Sequence, residues 1–367
     1  MNMRTAYSTK PLPEAVASLQ LDLRGAEPKV VVFFASTAFD PATLSQAMQD
    51  AFPRACVAGC SSAGEIANGQ MLTGSVVAMS LDSEVVRDAA AVVVGGLAAG
   101  NGIRTAIARL EEHFGAPAAE WDVGEYVGIV LADGLSGAEE RLMEELGDAT
   151  DVFFVGGSAG DDLKFSSTYV CAGGQAGQDS AALVLLRLNH GFDIVKTQSF
   201  SLSGKTLVAT KVDEKRRTVI EFNGKPALET YAEALGVTPE RAADCFFEHP
   251  LGLVMEGDPF VRSPQRAEGD SIVFYCQIRE GAELQVLDAT DIVTDTRRAV
   301  EAKVAAAGGV RGLIDFQCIL RTIQLRAEDR CAQYGAVFAG IPMAGFSTYG
   351  EAYLGHLNQT STILLFR

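Results

Sequence analysis

One arrangement recurs along this chain of 367 residues and limits what it can fold into: a short apolar strand, a helix, a second strand, and a glycine-rich loop. The run KVVVFFAS (29–36) is β-branched and aromatic, the pattern of a buried strand. FDPATLSQAMQDAFP follows, with Asp40 placed to cap a helix and Pro41 in its first turn. RACVAGCSSAGEI returns to a strand and ends in the loop, and GSVVAMSL (74–81) is the next strand. The second copy reads YVGIVLADG (126–134), then SGAEERLMEELG (136–147), a helix with a Ser136/Glu139 capping box and Gly147 at its end. TDVFFVGGSAGDD and DSAALVLLRL (179–188) complete it. A third copy runs through GLIDFQCILR (312–321), a helical stretch around AEDRCAQYGAV, then AGFSTYGEA and TSTILLFR. The spacing from strand to loop glycine is alike each time: Phe34 to Gly59, Val130 to Gly156, Cys318 to Gly345.

Other elements lie between the copies. VVRDAAAVVVGG (85–96) reads as a strand, and NGIRTAIARLEEHFG as an amphipathic helix capped by Asn101. Residues 205–223 read as paired strands around a charged turn, and NGKPALETYAEALG (223–236) as a helix with Pro226 in its first turn and Gly236 at its end. A long helix is expected through DIVTDTRRAVEAKVAAAGG. These elements predict an α/β fold of two related domains, built from repeated strand–helix–strand–glycine-loop units. Residues 1–220 and 221–367 are expected to form the two domains, parted near 215–222.

The length suits two domains, and 48% hydrophobic with 21% charged residues suits a large buried core. No apolar run approaches the ~20 residues of a membrane span. MNMRTAYSTKPLPEAV lacks the apolar segment of a secretory signal, so a cytoplasmic location is the expectation. The net charge of −17 argues against a nucleic-acid backbone or a membrane surface as the main partner. Seven cysteines, an odd number without a CxxC pair, suggest neither a disulfide framework nor a zinc site.

The most specific motif is Gly-x-Ser-x-x-Gly-Glu, in GCSSAGEI (59–66) and GFSTYGEA (345–352). Glycines at a strand end let backbone N–H groups converge on a bound group. Ser61 and Ser347 add hydroxyls, and Glu65 and Glu351 add carboxylates able to hold an ammonium or guanidinium. A tight turn whose Ser and Glu satisfy only backbone groups is the alternative. GGSAG (156–160) fits a nucleophile elbow at Ser158, but DDLKFSSTYV follows where the supporting helix should begin. Cys60 is a second candidate nucleophile, although Gly157 and Phe346 replace it in the other copies.

Four histidines exist. His113 ends an amphipathic helix and His190 sits in a turn. His249, in CFFEHPLGLVM, has Phe246, Phe247, Leu251, Leu253 and Met255 near it, the most haem-like surroundings in the chain. His356 follows the second serine loop. Without a CxxCH site any haem would be noncovalent. Arg262, Arg279 and Arg321 follow apolar stretches and could grip a carboxylate or propionate, or pair with the many acidic side chains.

Together GCSSAGEI, VGGSAGDDLKF (155–165), NGKPALETY (223–231), HPLGL (249–253) and GFSTYGEA make the chain resemble FIST-domain proteins, prokaryotic sensory modules with an N-terminal and a C-terminal half. The resemblance implies a non-enzymatic sensor of small molecules such as amino acids, acting in bacterial signal transduction. It also implies, as an alternative, a haem-binding nitric oxide sensor that acts on a partner histidine kinase, with His249 or His356 as iron ligand. Without a recognisable output segment, a separate partner protein would carry the signal. The expected ligand site lies near the domain junction, lined by Gly59, Ser61, Gly64 and Glu65 from one half and Arg321, Gly345, Ser347 and Glu351 from the other. A Ser or Cys hydrolase using Ser158 or Cys60 is the remaining alternative.

Overall fold

A computed structural model of the protein describes residues 2–25, 27–100 and 102–367. The chain forms two compact units. One comprises Met1–Thr197, Thr296–His356 and Ser361–Arg367; the other comprises Gln198–Asp295 and Leu357–Thr360. The first unit opens with β1 (Met3–Ser8) and α1 (Leu12–Asp22). The first copy of the repeat is β2 (Pro28–Ala35), α2 (Pro41–Ala51), β3 (Cys56–Ser61), the hairpin β4 (Glu65–Ala67) with β5 (Gln70–Leu72), and β6 (Val76–Asp82). After β7 (Val86–Gly95) and α3 (Ile103–Phe114) comes the second copy. It is β8 (Tyr126–Ala132), α4 (Glu139–Ala149), β9 (Phe154–Ser158), the hairpin β10 (Val170–Ala172) with β11 (Gln175–Gly177), and β12 (Ser180–Leu188), with β13 (Phe192–Gln198) after it.

The second unit is built from β14 (Phe200–Asp213), β15 (Thr218–Phe222), β16 (Lys225–Pro226), α5 (Ala227–Leu235), α6 (Pro239–Ala242), β17 (Leu251–Met255), β18 (Asp258–Arg262), β19 (Pro264–Glu268), β20 (Ser271–Phe274) and β21 (Glu283–Ala289). Its strand pairings are antiparallel, and its core gathers Phe222, Tyr231, Phe246, Leu251, Phe274 and Leu284. The border expected near 215–222 falls in the β14–β15 turn and in β15, inside this unit. The chain then returns to the first unit through α7 (Ile292–Ala306). The third copy follows: β22 (Gly312–Cys318), α8 (Ile319–Ala327), α9 (Cys331–Gly335), β23 (Met343–Thr348), the short strands β24 (Glu351–Ala352) and β25 (His356–Leu357), and β26 (Thr360–Phe366).

The three copies share one topology. In each, the first two strands are parallel and the last strand returns antiparallel to the first: β2 with β3 and β6, β8 with β9 and β12, β22 with β23 and β26. Each copy also lends its short hairpin to another copy's sheet. The sheet orders are β1-β6-β2-β3-β10-β11, β25-β24-β9-β8-β12-β7 and β13-β26-β22-β23-β4-β5. The first copy thus extends the third sheet, the second copy extends the first, and the third copy extends the second. This cyclic exchange pairs strand edges that would otherwise expose N–H and C=O groups.

The apolar faces of the three sheets share a core. Phe34 stacks on Phe346 at 4.5 Å between ring centroids and meets Phe316 edge-on at 6.3 Å, joining the first and third copies. Such pairs add about 0.5–1.5 kcal/mol each beyond their burial. Helices cover the outer faces: α1 and α2 lie on the first sheet, and α3 and α4 on the second.

The loop glycine recurs because two strands run unusually close. Gly59, Gly156 and Gly345 lie opposite Phe33, Val130 and Asp315 in the parallel pairs. A Cβ at any of the three would overlap the facing residue's carbonyl oxygen. Asp40 caps α2 as expected, accepting from Thr43 N at 2.9 Å. The Ser136/Glu139 capping box does not form. Ser136 instead closes a tight turn onto Asp133, Gly137 adopts φ +63°, and α4 begins at Glu139 and runs past Gly147. Glu139 is thereby released from capping. The helix cap expected at Asn101 lies outside the described residues.

Candidate functional site

The glycine–serine loops of the three copies meet. Ala63 N donates to Ser347 O at 3.1 Å and Ser347 N to Gly64 O at 2.7 Å, so the two Gly-x-Ser-x-x-Gly-Glu loops touch directly. Ser158 N donates to Gly350 O at 2.8 Å and Tyr349 N to Ser158 O at 3.1 Å. Gly160 N donates to Ser61 O and Asp162 N to Ser62 O, both at 3.0 Å, which closes the ring.

Within the ring the motif glutamates face inward and bond to their own surroundings. Glu65 accepts from Ser62 Oγ, from Ser75 N at 3.0 Å and from Ser75 Oγ at 2.5 Å. Burial pushes its carboxyl up to about 7 against the pull of those hydrogen bonds. Glu351 is fully buried and accepts from Thr348 Oγ1 at 2.6 Å. Gly59, Ser61, Gly64, Glu65, Arg321, Gly345, Ser347 and Glu351 are all buried, and all lie within the first compact unit. Arg321, on α8, donates to Thr296 Oγ1 at 2.7 Å. Cys60 is buried too, and burial drives its thiol well above its usual range.

The loop serine separates the three copies. Ser61 Oγ accepts from Tyr169 N at 2.9 Å. Ser347 Oγ shares a 2.8 Å hydrogen bond with Thr322 Oγ1, and Gln317 Nε2 donates to the same hydroxyl at 3.1 Å. In the second copy Ser158 Oγ donates instead to Glu139 Oε1, at 3.4 Å. Glu140 stands beside Glu139 in the first turn of α4, at the end of a parallel strand pair where α/β folds place ligands.

His356, carried in on the third copy's hairpin, completes a group with Glu139 and Glu140 whose ligand atoms all lie within 4.8 Å of one another. Its Nδ1 lies 3.3 Å from Glu140 Oε1. The ring is buried, and its Nε2 has no hydrogen-bond partner among the described residues. A Cβ at Gly350 would overlap that nitrogen, so glycine is what admits the ring. A cavity of about 330 Å³ shares α4 and the β24–β25 turn with this cluster, lined by Met143, Leu146, Phe153, Phe154, Leu354 and Gly355. That volume suits a small molecule.

The N-terminal FIST family model matches residues 29–225, and the C-terminal FIST family model matches residues 227–353. The chain belongs to the FIST family. An uncharacterized protein of Methanocaldococcus jannaschii is 26% identical over 191 residues, covering 48% of this chain and 37% of that relative. The chain thus spans little more than a third of the curated relative it matches. FIST domains are associated with sensing small ligands in signal transduction.

In this FIST chain the junction between the two family models, at 225–227, lies in the second compact unit, and the three copies straddle it. Among the described residues, no helix is long and apolar enough to cross a membrane. His249 lies in the second unit, where Nδ1 sits 3.0 Å from Asp288 Oδ1 and 3.2 Å from Leu287 O. Of its expected apolar neighbours, Phe246 and Leu251 pack into the unit's own core, whereas Met255 is exposed. Arg262 donates to Val261 O at 3.1 Å. His113 approaches Asp88 at 3.2 Å on the surface, and His190 is exposed.

Glu139 and Glu140 did not stand out in the sequence. Their signal was weak: an acidic pair following a strand of the repeat, where the other copies carry DPAT and ILRT.

Proposed function

We propose that this FIST protein is a non-enzymatic sensor of a small molecule, and that the second copy of its repeat carries the sensing centre. The observation that supports this reading is the departure of one copy from the other two. The loop serines of the first and third copies bond to a backbone N–H and to a neutral hydroxyl, whereas that of the second meets a buried carboxylate beside a buried imidazole. Charged groups are costly to bury and persist where they bind something.

The ligand's polar head meets Glu139, Glu140 and His356, and its body extends toward the largely apolar cavity between α4 and the β24–β25 turn, whose lining ends at Gly355, next to His356. An amino acid is the simplest molecule of that description. Binding shifts the population of a conformation that a separate signalling protein, such as a histidine kinase, reads. The test is thermal unfolding against a panel of amino acids, since a ligand of the native state raises the melting temperature by mass action. A rise with one or a few amino acids that Glu139→Gln abolishes is expected. No rise with any of them sinks the reading.

A second reading, haem on His249, draws on one observation. The Nδ1 of His249 is held by Asp288, the kind of outer contact that orients a ligating imidazole. Haem bound there would supply gas binding at its iron. Reconstitution with haemin should then give a Soret band that His249→Ala removes, and a band unaffected by that change excludes His249.

A further inference from the structure

We infer that Glu139, Glu140 and His356 form a binding site for one divalent first-row metal ion, for which Zn²⁺ is the natural probe. The inference rests on the reading that this cluster is the protein's functional centre, and it names the chemistry there.

The donor set is one imidazole nitrogen and two carboxylates, brought from two copies of the repeat to ligand atoms within 4.8 Å of one another. Two ligands of one ion stand at most about 4.2 Å apart, so a small inward rotation of the side chains brings all three onto one ion. Two ligands each about 2.0–2.1 Å from a tetrahedral ion stand roughly 3.3–3.4 Å apart. The Nδ1 of His356 and Oε1 of Glu140 are 3.3 Å apart, long for a charge-assisted hydrogen bond and right for two ligands of one ion. Nitrogen with carboxylate oxygen suits zinc, manganese or iron better than the all-oxygen shells of calcium or magnesium.

The histidine itself is the second observation. It is 4% exposed, and its Nε2 has no hydrogen-bond partner among the described residues. Gly350 packs against the ring at Nε2, which leaves Nδ1 as the nitrogen turned toward the carboxylates. Ligation through Nδ1 fits that orientation. Ser158 Oγ, 3.4 Å from Glu139 Oε1, supplies the outer contact that holds a ligating carboxylate in place.

Three protein ligands leave at least one position open, the arrangement in which a metal takes a further ligand rather than only bracing the fold. The open position gives a small molecule in the neighbouring cavity an atom to coordinate. The third copy cannot do this, because Thr322 replaces the carboxylate against its loop serine.

The test uses the full chain, stripped with a chelator and titrated with Zn²⁺ by calorimetry, with bound metal counted by elemental analysis. One Zn²⁺ per chain is expected. Glu140→Gln and His356→Gln should each weaken binding by at least about ten-fold, while Asp148→Asn, on the same helix but outside the cluster, should leave it unchanged. Glu140 is more exposed than His356, so Glu140→Gln keeps the test valid if His356→Gln fails to fold. Absence of stoichiometric binding, or equal binding by wild type, Glu140→Gln and His356→Gln, overturns the proposal. The amino-acid panel is run with and without Zn²⁺, which separates the two readings. Melting shifts abolished by Glu139→Gln without any zinc binding would leave the sensor standing and remove the metal. Zinc binding without any ligand shift would do the reverse.

Discussion

The second and third copies of the repeat are built alike and finished differently. Both set a glycine of the second strand against a carbonyl of the first, Gly156 on Val130 and Gly345 on Asp315, and both carry a serine two residues after it within the ring of loops. The third copy then closes on itself. Ser347 meets Thr322, Thr322 meets Gln317, and the buried Asp315 accepts from Tyr334 Oη at 2.8 Å and Ser361 Oγ at 2.6 Å. The second copy places Val130 where the third has Asp315, its Ser158 meets Glu139, and the neighbouring Glu140 faces His356 from the third copy's hairpin. In the third copy polar groups brace the fold; in the second they form the centre to which the proposed function assigns the ligand. A duplicated scaffold can carry a site in one unit because the remaining units hold the shared geometry.

The shared part of the comparison is tested by the largest effect. Gly156→Ala and Gly345→Ala should each cost about 3 kcal/mol or more in chemical unfolding, since backbone must move to admit the new methyl. A neutral result in one copy alone would show that the close strand approach is not common to both.

The next effect concerns the third copy's closed network and depends on pH. Burial lifts Asp315 from the usual 3.8 to about 6. Between those values the native state holds a proton that the unfolded chain releases, so this stabilisation is complete below pH ~4 and is lost as pH rises through 6. Asp315→Asn should flatten that slope, which amounts to about 2–3 kcal/mol across the window. Glu65, raised from 4.5 to about 7, adds a similar fall in stability at slightly higher pH, removed by Glu65→Gln. Unfolding free energies between pH 4 and 8 decide both.

A smaller effect separates bracing from binding. Thr322→Val leaves Ser347 Oγ without its hydroxyl partner and should cost about 1–2 kcal/mol while leaving ligand-induced melting shifts intact. Glu139→Gln should do the opposite, changing stability by less than about 1 kcal/mol and abolishing those shifts. If both variants behave alike, the distinction between the copies fails.

The repeat was legible because its cause is local. KVVVFFAS, YVGIVLADG and GLIDFQC announce buried strands by composition, and Asp40 with Pro41 announces a helix start. The α/β class and the family motifs followed from the same short-range patterns. The glycine of the Gly-x-Ser motif was visible, but the reason for it was not. It answers to a carbonyl on the neighbouring strand, a contact made only when the two strands pair.

Long-range pairing decided the rest. Which hairpin joins which sheet depends on strand edges far apart in the chain, and no residue near Glu139 hints at His356. Even the fate of Glu139 turned on a competition between two local options. Ser136 and Glu139 are spaced for a capping box, yet Asp133 and Gly137 close a tighter turn and leave the carboxylate to Ser158. The sequence by itself determined the repeated unit, its class and its family, because strands, helices and turns answer to neighbours along the chain. The tertiary structure alone decided that the serine loops meet in a ring and that two glutamates and a buried histidine come together, because those contacts join residues that only the folded sheets bring together.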